Sequence, residues 1–373
     1  MTSTRTIAPC TFVLTFCLLA AEFPTESQLL IATRGDTGPV HSIVAVGDEI
    51  WLRADKGAFI VDQKGTQAVR VGGDTGSYLY SIVAVGNEIW LGAPRGVFRV
   101  DRESHQAVRV KGKTGFVSLI MVLANEIWLG AQKGAFRVDR ESHQAVRVKG
   151  KTGWVSSIAV AGDEIWLAGP SGAFRADRKS NRAVPVKGSP HLVDSIVAVG
   201  DEIWLGAYDG AFRVDRKNNQ AVPVGGNTGR VYSIVAVGDE IWLAAYEGAF
   251  RVDRKSNQAV RVEGTGSLVW DIIPFGDDIW LRAYGGPFRV NPKSNQAQPV
   301  GRNAGYMILN SMVAVGDEMW LGTHKGAFRV DRKTNQAEPV GDNTGAVYSI
   351  LPFGDSVWLG ADKGAFRVDR HKE

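Results

Sequence analysis

Along almost the whole chain, apolar residues come in runs of five or six, divided by glycine, aspartate and asparagine. The stretch VYSIVAVGDEIWLAAYEGAFRVDRKSNQAVRV, residues 231–262, shows the unit. Its runs are Tyr232–Val237, Glu240–Ala244, Ala249–Asp253 and Gln258–Val262. Short runs rich in Val, Ile, Phe and Trp between turn residues predict four strands in a meander. None is long enough for a typical helix, and no 3.6-residue period is sustained. Ile241-Trp242-Leu243 is apolar on both faces of its strand, so that strand needs cover on both sides.

The unit recurs. The tryptophans equivalent to Trp242 are Trp51, Trp90, Trp128, Trp166, Trp204, Trp280, Trp320 and Trp358, at spacings of 38 residues apart from one of 39 and one of 40. The segment RVDRESHQAVRVKGKTG occurs unaltered at 99–115 and 137–153, a sign of duplication within the chain. Four-stranded meanders repeated at this period are propeller blades, and radial stacking supplies the two-sided burial that Ile-Trp-Leu demands. The chain is therefore expected to be all-β: a single nine-bladed β-propeller of four-stranded antiparallel blades over residues 27–373. The segment SQLLIATRGDTG at 27–38 matches only the fourth run of the unit, and the last copy stops after its third. An N-terminal strand joining the last blade would close the ring and leave no unpaired edge there. With sheets ~10 Å apart and strands ~4.8 Å apart, nine blades put the inner strands roughly 7 Å from the axis, around an open channel.

The core SIVAVGDEIWLGAYDGAFRVDR, residues 195–216, resembles the two-component regulator propeller repeat, and the resemblance covers about residues 27–370. That family includes sensor regions of bacterial signalling proteins and freestanding exported propellers. The resemblance implies a ligand-binding propeller and supplies no fixed catalytic residues.

Composition adds limits. The net charge of +4 comes from 43 basic and 39 acidic residues spread through the repeats, which speaks against nucleic acid as a partner. Both cysteines, Cys10 and Cys17, precede the repeats, so no disulfide framework holds them. Residues 1–26 carry Arg5, an apolar stretch from Ile7 to Ala21 and then polar residues, which reads as a signal peptide or else as a disordered leader. The apolar stretch is short of the roughly 20 residues of a membrane span. Export to the periplasm or the exterior, as a monomer, is the expectation.

The copies do not vary evenly. The Gly-Asp-Glu and Arg-Lys-Ser-Asn turns hardly change, and both belong to one rim of the ring. The aspartates of VDR, such as Asp101, Asp215 and Asp253, read as partners of neighbouring arginines and not as metal ligands, because no calcium-loop pattern surrounds them. On the other rim three positions are rewritten in nearly every copy. The residue at the start of the first strand is His41, Tyr80, Ser118, Ser156, Asp194, Tyr232, Trp270, Asn310 or Tyr348. Between the second and third runs the series includes Tyr208, Tyr246, Tyr284, His324, Asp55 and Asp362. Two residues before the first series stand Phe116, Trp154 and Arg230. Aromatics with a few polar partners at equivalent points of a concave rim describe a binding surface for a small glycan, a peptide or a protein partner. Drift in exposed loops is the alternative. No nucleophile-elbow, zinc-protease or phosphate-loop motif occurs, and no metal or cofactor is expected. Asp194 and His41 are the residues a hydrolase or lyase would use; a non-catalytic role is the expected one.

Overall fold

The computed structural model describes residues 30–369 except 63, 77, 87, 124–125 and 302–306; the leader expected at 1–26 lies outside the described residues. These residues form 36 strands in nine four-stranded antiparallel sheets, with no helix among them. Blades 1 to 8 span residues 40–70, 81–109, 117–147, 157–185, 193–223, 231–261, 269–299 and 309–340. Blade 9 takes three strands from 347–369, and its fourth is β1 (Leu30–Ala32). β1 pairs with β36 (Gly364–Asp369), Leu30 opposite Val368 and Ala32 opposite Phe366, so the ring closes as the orphan N-terminal segment requires. In the unit at 231–262 the strands run Val231–Val237, Glu240–Ala245, Gly248–Asp253 and Gln258–Arg261, within a residue or two of the hydrophobic runs.

Nine apolar clusters fill the nine spaces between blades. Trp204 of blade 5, for example, packs among Val231, Ile234, Ile241, Leu243 and Phe250 of blade 6. Trp358 of blade 9 packs among Val40, Ile43, Leu52 and Phe59 of blade 1. Eight of the nine repeat tryptophans are wholly buried and Trp358 is 4% exposed. Blades approach closely at the glycine after Ile-Trp-Leu. A Cβ at Gly130 would lie 2.6 Å from the Val155 carbonyl oxygen of the next blade, and one at Gly206 only 2.9 Å from Val231 Cγ1.

A polar network lies over each indole at the constant rim. Trp204 Nε1 donates to Glu202 Oε2 at 3.1 Å. The same carboxylate accepts from Arg213 of its own blade and, at 2.8 Å, from Arg254 of the next. Arg213 also donates to the Arg254 carbonyl at 3.2 Å. Equivalent cross-blade pairs join Arg102 to Glu49, Arg140 to Glu88, Arg178 to Glu126, Arg216 to Glu164 and Arg332 to Asp278. Asp278 is a methylene shorter than glutamate, and Trp280 Nε1 has no partner; Trp166 Nε1 also lacks one. At the closing seam the device changes. Ser356 stands in the glutamate's place and donates to Asp369 at 3.0 Å, while Arg367 reaches the Lys64 carbonyl of blade 1 at 2.7 Å.

Of the VDR aspartates, Asp369 pairs with its neighbouring Arg367 at 2.9 Å as the sequence suggests, but Asp101, Asp215 and Asp253 do not follow that expectation. Asp215 Oδ1 accepts from the backbone N–H of Lys217 (2.9 Å) and Asn218 (3.3 Å), and Asp101 Oδ1 from Ser104 N–H at 2.8 Å. These three cap the turn into the fourth strand, and the arginines beside them go to glutamates instead. A short carboxylate can close such a turn locally, whereas an arginine is long enough to cross to the next blade.

Replacing Glu202 by Ala strands an indole N–H and two guanidinium groups, and is expected to destabilise the ring by about 1–3 kcal/mol in urea unfolding. A midpoint unchanged from the parent would contradict the clamp. Burial alone would raise the pKa of Glu88, but hydrogen bonds from Arg99, Trp90 and Arg140 outweigh it and hold the carboxyl below its ordinary value. Its contribution is therefore present above the unfolded-state glutamate pKa of about 4.3 and lost as pH falls through the lower folded value. The Glu88→Gln protein should show a shallower loss of stability over that acid range in unfolding measured against pH.

Candidate functional site

The first variable series falls on a backbone irregularity. In β22 (Val231–Val237), Val231 pairs with Ala245 and Ser233 with Ala244, so Tyr232 is an extra residue in the ladder. The same shift isolates His41, Ser118, Asp194, Trp270, Asn310 and Tyr348. In blades 2 and 4 the first strand begins two residues later than in the others, at Ser81 and Ser157, leaving Tyr80 and Ser156 just before it. A bulge releases one side chain from the alternation of the strand and re-aims it. The variable residue is thus the one whose side chain the sheet does not need.

The other two series lie beside it, joined by backbone hydrogen bonds. The N–H of Tyr246 donates to the Arg230 carbonyl at 2.8 Å, that of Tyr208 to Leu192 at 3.1 Å, and that of Tyr284 to Leu268 at 2.9 Å. The N–H of His324 bonds the Ile308 carbonyl (3.1 Å), and Ile308 N–H returns a bond to His324 Nδ1 (3.0 Å). With Nδ1 accepting, the neutral ring carries its proton on Nε2. All three series occupy one rim, called the upper rim below.

Three groups of side chains meet there. On blades 2 to 4, Tyr80 and Phe116 sit edge to face, with ring centres 4.2 Å apart and planes at 81°. Phe116 and Trp154 follow at 6.0 Å and 65°, and Trp154 Nε1 donates to Ser118 Oγ at 3.4 Å. On blades 5 and 6, Arg230 holds Asp194 through two hydrogen bonds of 2.7 and 2.9 Å. The same guanidinium lies over the rings of Tyr208 and Tyr232, at 5.9 and 5.2 Å. Its pKa is raised, chiefly by the hydrogen bonds to Asp194. Across the closing seam, His41 Nε2 meets Asp55 Oδ1 at 2.7 Å, and the His41 ring packs 5.1 Å from that of Tyr348. Tyr348 in turn donates to Asp362 at 2.5 Å.

Other candidates stand apart from these groups. Trp270 is covered by Arg282, 5.8 Å from its ring. Asn310 donates to the Val347 carbonyl of blade 9 at 3.1 Å, a bond between blades. Tyr246 and Tyr284 are 52% and 60% exposed. Asp194 and His41 are not brought together, and each carboxylate or ring is already engaged, Asp194 by Arg230 and His41 by Asp55. Arg282 is a participant that comparison of the variable series misses. Its signal is the change from IWLGA to IWLRA at 279–283, shared with Arg53 at 50–54.

Two grooves lie on the opposite rim. A groove of about 1040 Å³ is lined by Glu164, Arg175, Glu202, Arg213 and Arg216, and one of about 770 Å³ by Glu88, Glu126, Arg137 and Arg140. Both are walled by side chains that already pair across blades. Among the described residues, no group of three or more His, Cys, Asp or Glu could hold a metal ion, and no helix is long and apolar enough to cross a membrane.

No family model matches the chain, and no curated protein does. Among solved structures, the computationally designed Ika8 protein is similar over 92% of this chain and 100% of its own, at 14% identity and a TM-score of 0.63. BamB from Moraxella catarrhalis is similar over 78% of this chain and 96% of its own, at 13% identity and a TM-score of 0.56. The extracellular domain of the hybrid two component system BT3049 from B. thetaiotaomicron also aligns, at 16% identity and a TM-score of 0.48; the alignment covers 89% of this chain and 52% of that one. At these identities the likeness is one of fold, and the chain is a nine-bladed β-propeller.

The hydrogen bond to the Asp362 carboxylate raises the pKa of the Tyr348 phenol, because ionisation would place two negative charges side by side. Spectrophotometric titration of the folded protein should show a tyrosinate component above the ordinary tyrosine range of about 10. That component should vanish in Tyr348→Phe and move down in Asp362→Asn; its persistence in both would remove the pair from the site.

Proposed function

We propose that this chain is a non-catalytic, exported binding propeller that takes a glycan or peptide ligand on its upper rim. The observation that carries the reading is the coincidence of a position rewritten in nearly every copy with the bulge of the inner strand, present in seven of the nine blades. There a residue can change without disturbing the ladder, and five of the nine occupants are His, Tyr or Trp. Aromatic rings give large contact area at low conformational cost, and tyrosine and tryptophan add a polar handle. The engagement of Asp194 and His41 by neighbours supports binding over acid–base chemistry. Export rests on the apolar segment Ile7–Ala21 and on the resemblance to sensor and exported propellers.

A second reading, a scaffold for a protein partner, is favoured by Tyr208, Tyr246 and Tyr284. They occupy the same turn of three consecutive blades and are 56%, 52% and 60% exposed, a wider face than a small ligand covers.

A glycan and peptide array on the purified ring identifies the ligand, and calorimetric titration of the parent against Tyr232→Ala and Trp270→Ala tests the site. Each variant should bind about tenfold more weakly or worse, with its melting temperature kept. Unchanged affinity in both would overturn the reading. A partner protein retained after loss of both rings would favour the broader scaffold face.

A further inference from the structure

On one sector of the upper rim the charge balance of the ring fails. In blade 1, Lys56 of the second turn pairs with Asp36 of the entry loop, and in blade 2, Arg95 pairs with Asp74. In blade 9 the equivalent pair is Lys363 with Asn343. Blade 3 has lysine at both positions, Lys133 and Lys113, and blade 4 has Lys151 in the entry loop opposite Ser171. Among the described residues no carboxylate pairs with Lys113, Lys133 or Lys151, and all three are exposed. Lys111 and Lys149 add to the same loops, and no Asp or Glu occurs at 109–118, 131–135, 147–156 or 169–173. The even spread of charge along the chain hides this. The acids of these two blades lie at the constant rim, where arginines such as Arg137, Arg175 and Arg178 meet them, and the lysines of the upper loops are left without acids.

The same sector holds the aromatic run Tyr80, Phe116 and Trp154, with Tyr80 47% and Trp154 41% exposed and Tyr78 beside them at 61%. The ring planes turn by 81° and then by 65°. Successive sugars or nucleobases stack on ring faces, and rings set edge to face offer no shared plane for them. Edge-to-face rings instead make notches that accept one apolar side chain between them.

Resting on the reading of the upper rim as a binding face, we propose that the sector of blades 2 to 4 docks an acidic peptide segment of a partner protein. An apolar side chain of the segment seats among Tyr80, Phe116 and Trp154, and flanking Asp or Glu residues meet Lys113, Lys133 and Lys151. The partner is recognised by this chemistry, acidic residues on either side of a large apolar one. Unpaired lysines repel one another and any basic partner, so the sector selects charge as well as affinity.

The test is fluorescence anisotropy with a labelled peptide of Glu and Asp around a central Leu or Phe. Its controls are the same peptide with Lys for each acid, a polyuronate, a neutral oligosaccharide and a single-stranded oligonucleotide. The acidic peptide should bind in preference to all four, and its Kd should rise at least tenfold between 50 and 300 mM salt. Lys113→Glu combined with Lys133→Glu should weaken it at least tenfold with the melting curve unchanged, and Trp154→Ala should weaken it independently of salt. Equal binding of the lysine-substituted peptide, or tighter binding of the polyuronate or oligonucleotide, would overturn the proposal. If Trp154→Ala abolishes binding while the lysine reversals change nothing, the rim remains a binding face and its preference for acid is refuted. If neither change matters, both readings fall.

Discussion

Each blade buries its indole in its neighbour. That contact sets the geometry of the rest, because a four-stranded sheet with Ile-Trp-Leu apolar on both faces cannot stand in water alone. Replacing a buried tryptophan by alanine typically costs about 3–5 kcal/mol, a large share of the net stability of any domain. The glutamate two residues earlier and the arginines of the third strand cap the indole and cross to the next blade, so the apolar contact and its polar lid are built from the same few positions. Wherever this unit is kept, the next blade is fixed in distance and angle. The glycine after Ile-Trp-Leu marks how close that distance is.

This division of labour explains why one repeat holds some positions and releases others. Glu, Trp, Leu and the two arginines each touch a second blade and tolerate little change. The bulge residue touches the ladder least, and the residues on either side of it keep the register whatever stands there. The three variable series therefore converge on one rim, where their side chains bond mainly to one another. Arg230 joining Asp194 between two tyrosines, and Tyr348 joining His41 and Asp362 across the seam, are local solutions that differ from sector to sector.

Much of the fold was legible from the chain. The 38-residue period, the Trp run and the orphan strand at Leu30–Ala32 gave the blades and their closure. The roles of single residues were less so. Asp215 reads as a partner for arginine because the two are adjacent in VDR, yet side chains that alternate across a strand rarely meet their sequence neighbours. The bulge was invisible, since an extra residue in a ladder leaves no mark on the hydrophobic pattern. Even net charge concealed the lysines of blades 3 and 4, because the rim a residue faces depends on which turn carries it.

The bulge row is free of the fold except at Asn310, whose side chain bonds the Val347 carbonyl of blade 9. Serine already stands at 118 and 156, so placing serine at 41, 80, 194, 232, 270 and 348 in one protein, with Asn310 kept, asks whether the rest of the row carries any structure. Equilibrium unfolding of that protein by urea is the direct measurement. One cooperative transition with slope and midpoint close to the parent's is expected; a broadened transition or a collapsed midpoint would show instead that these side chains hold the ring together.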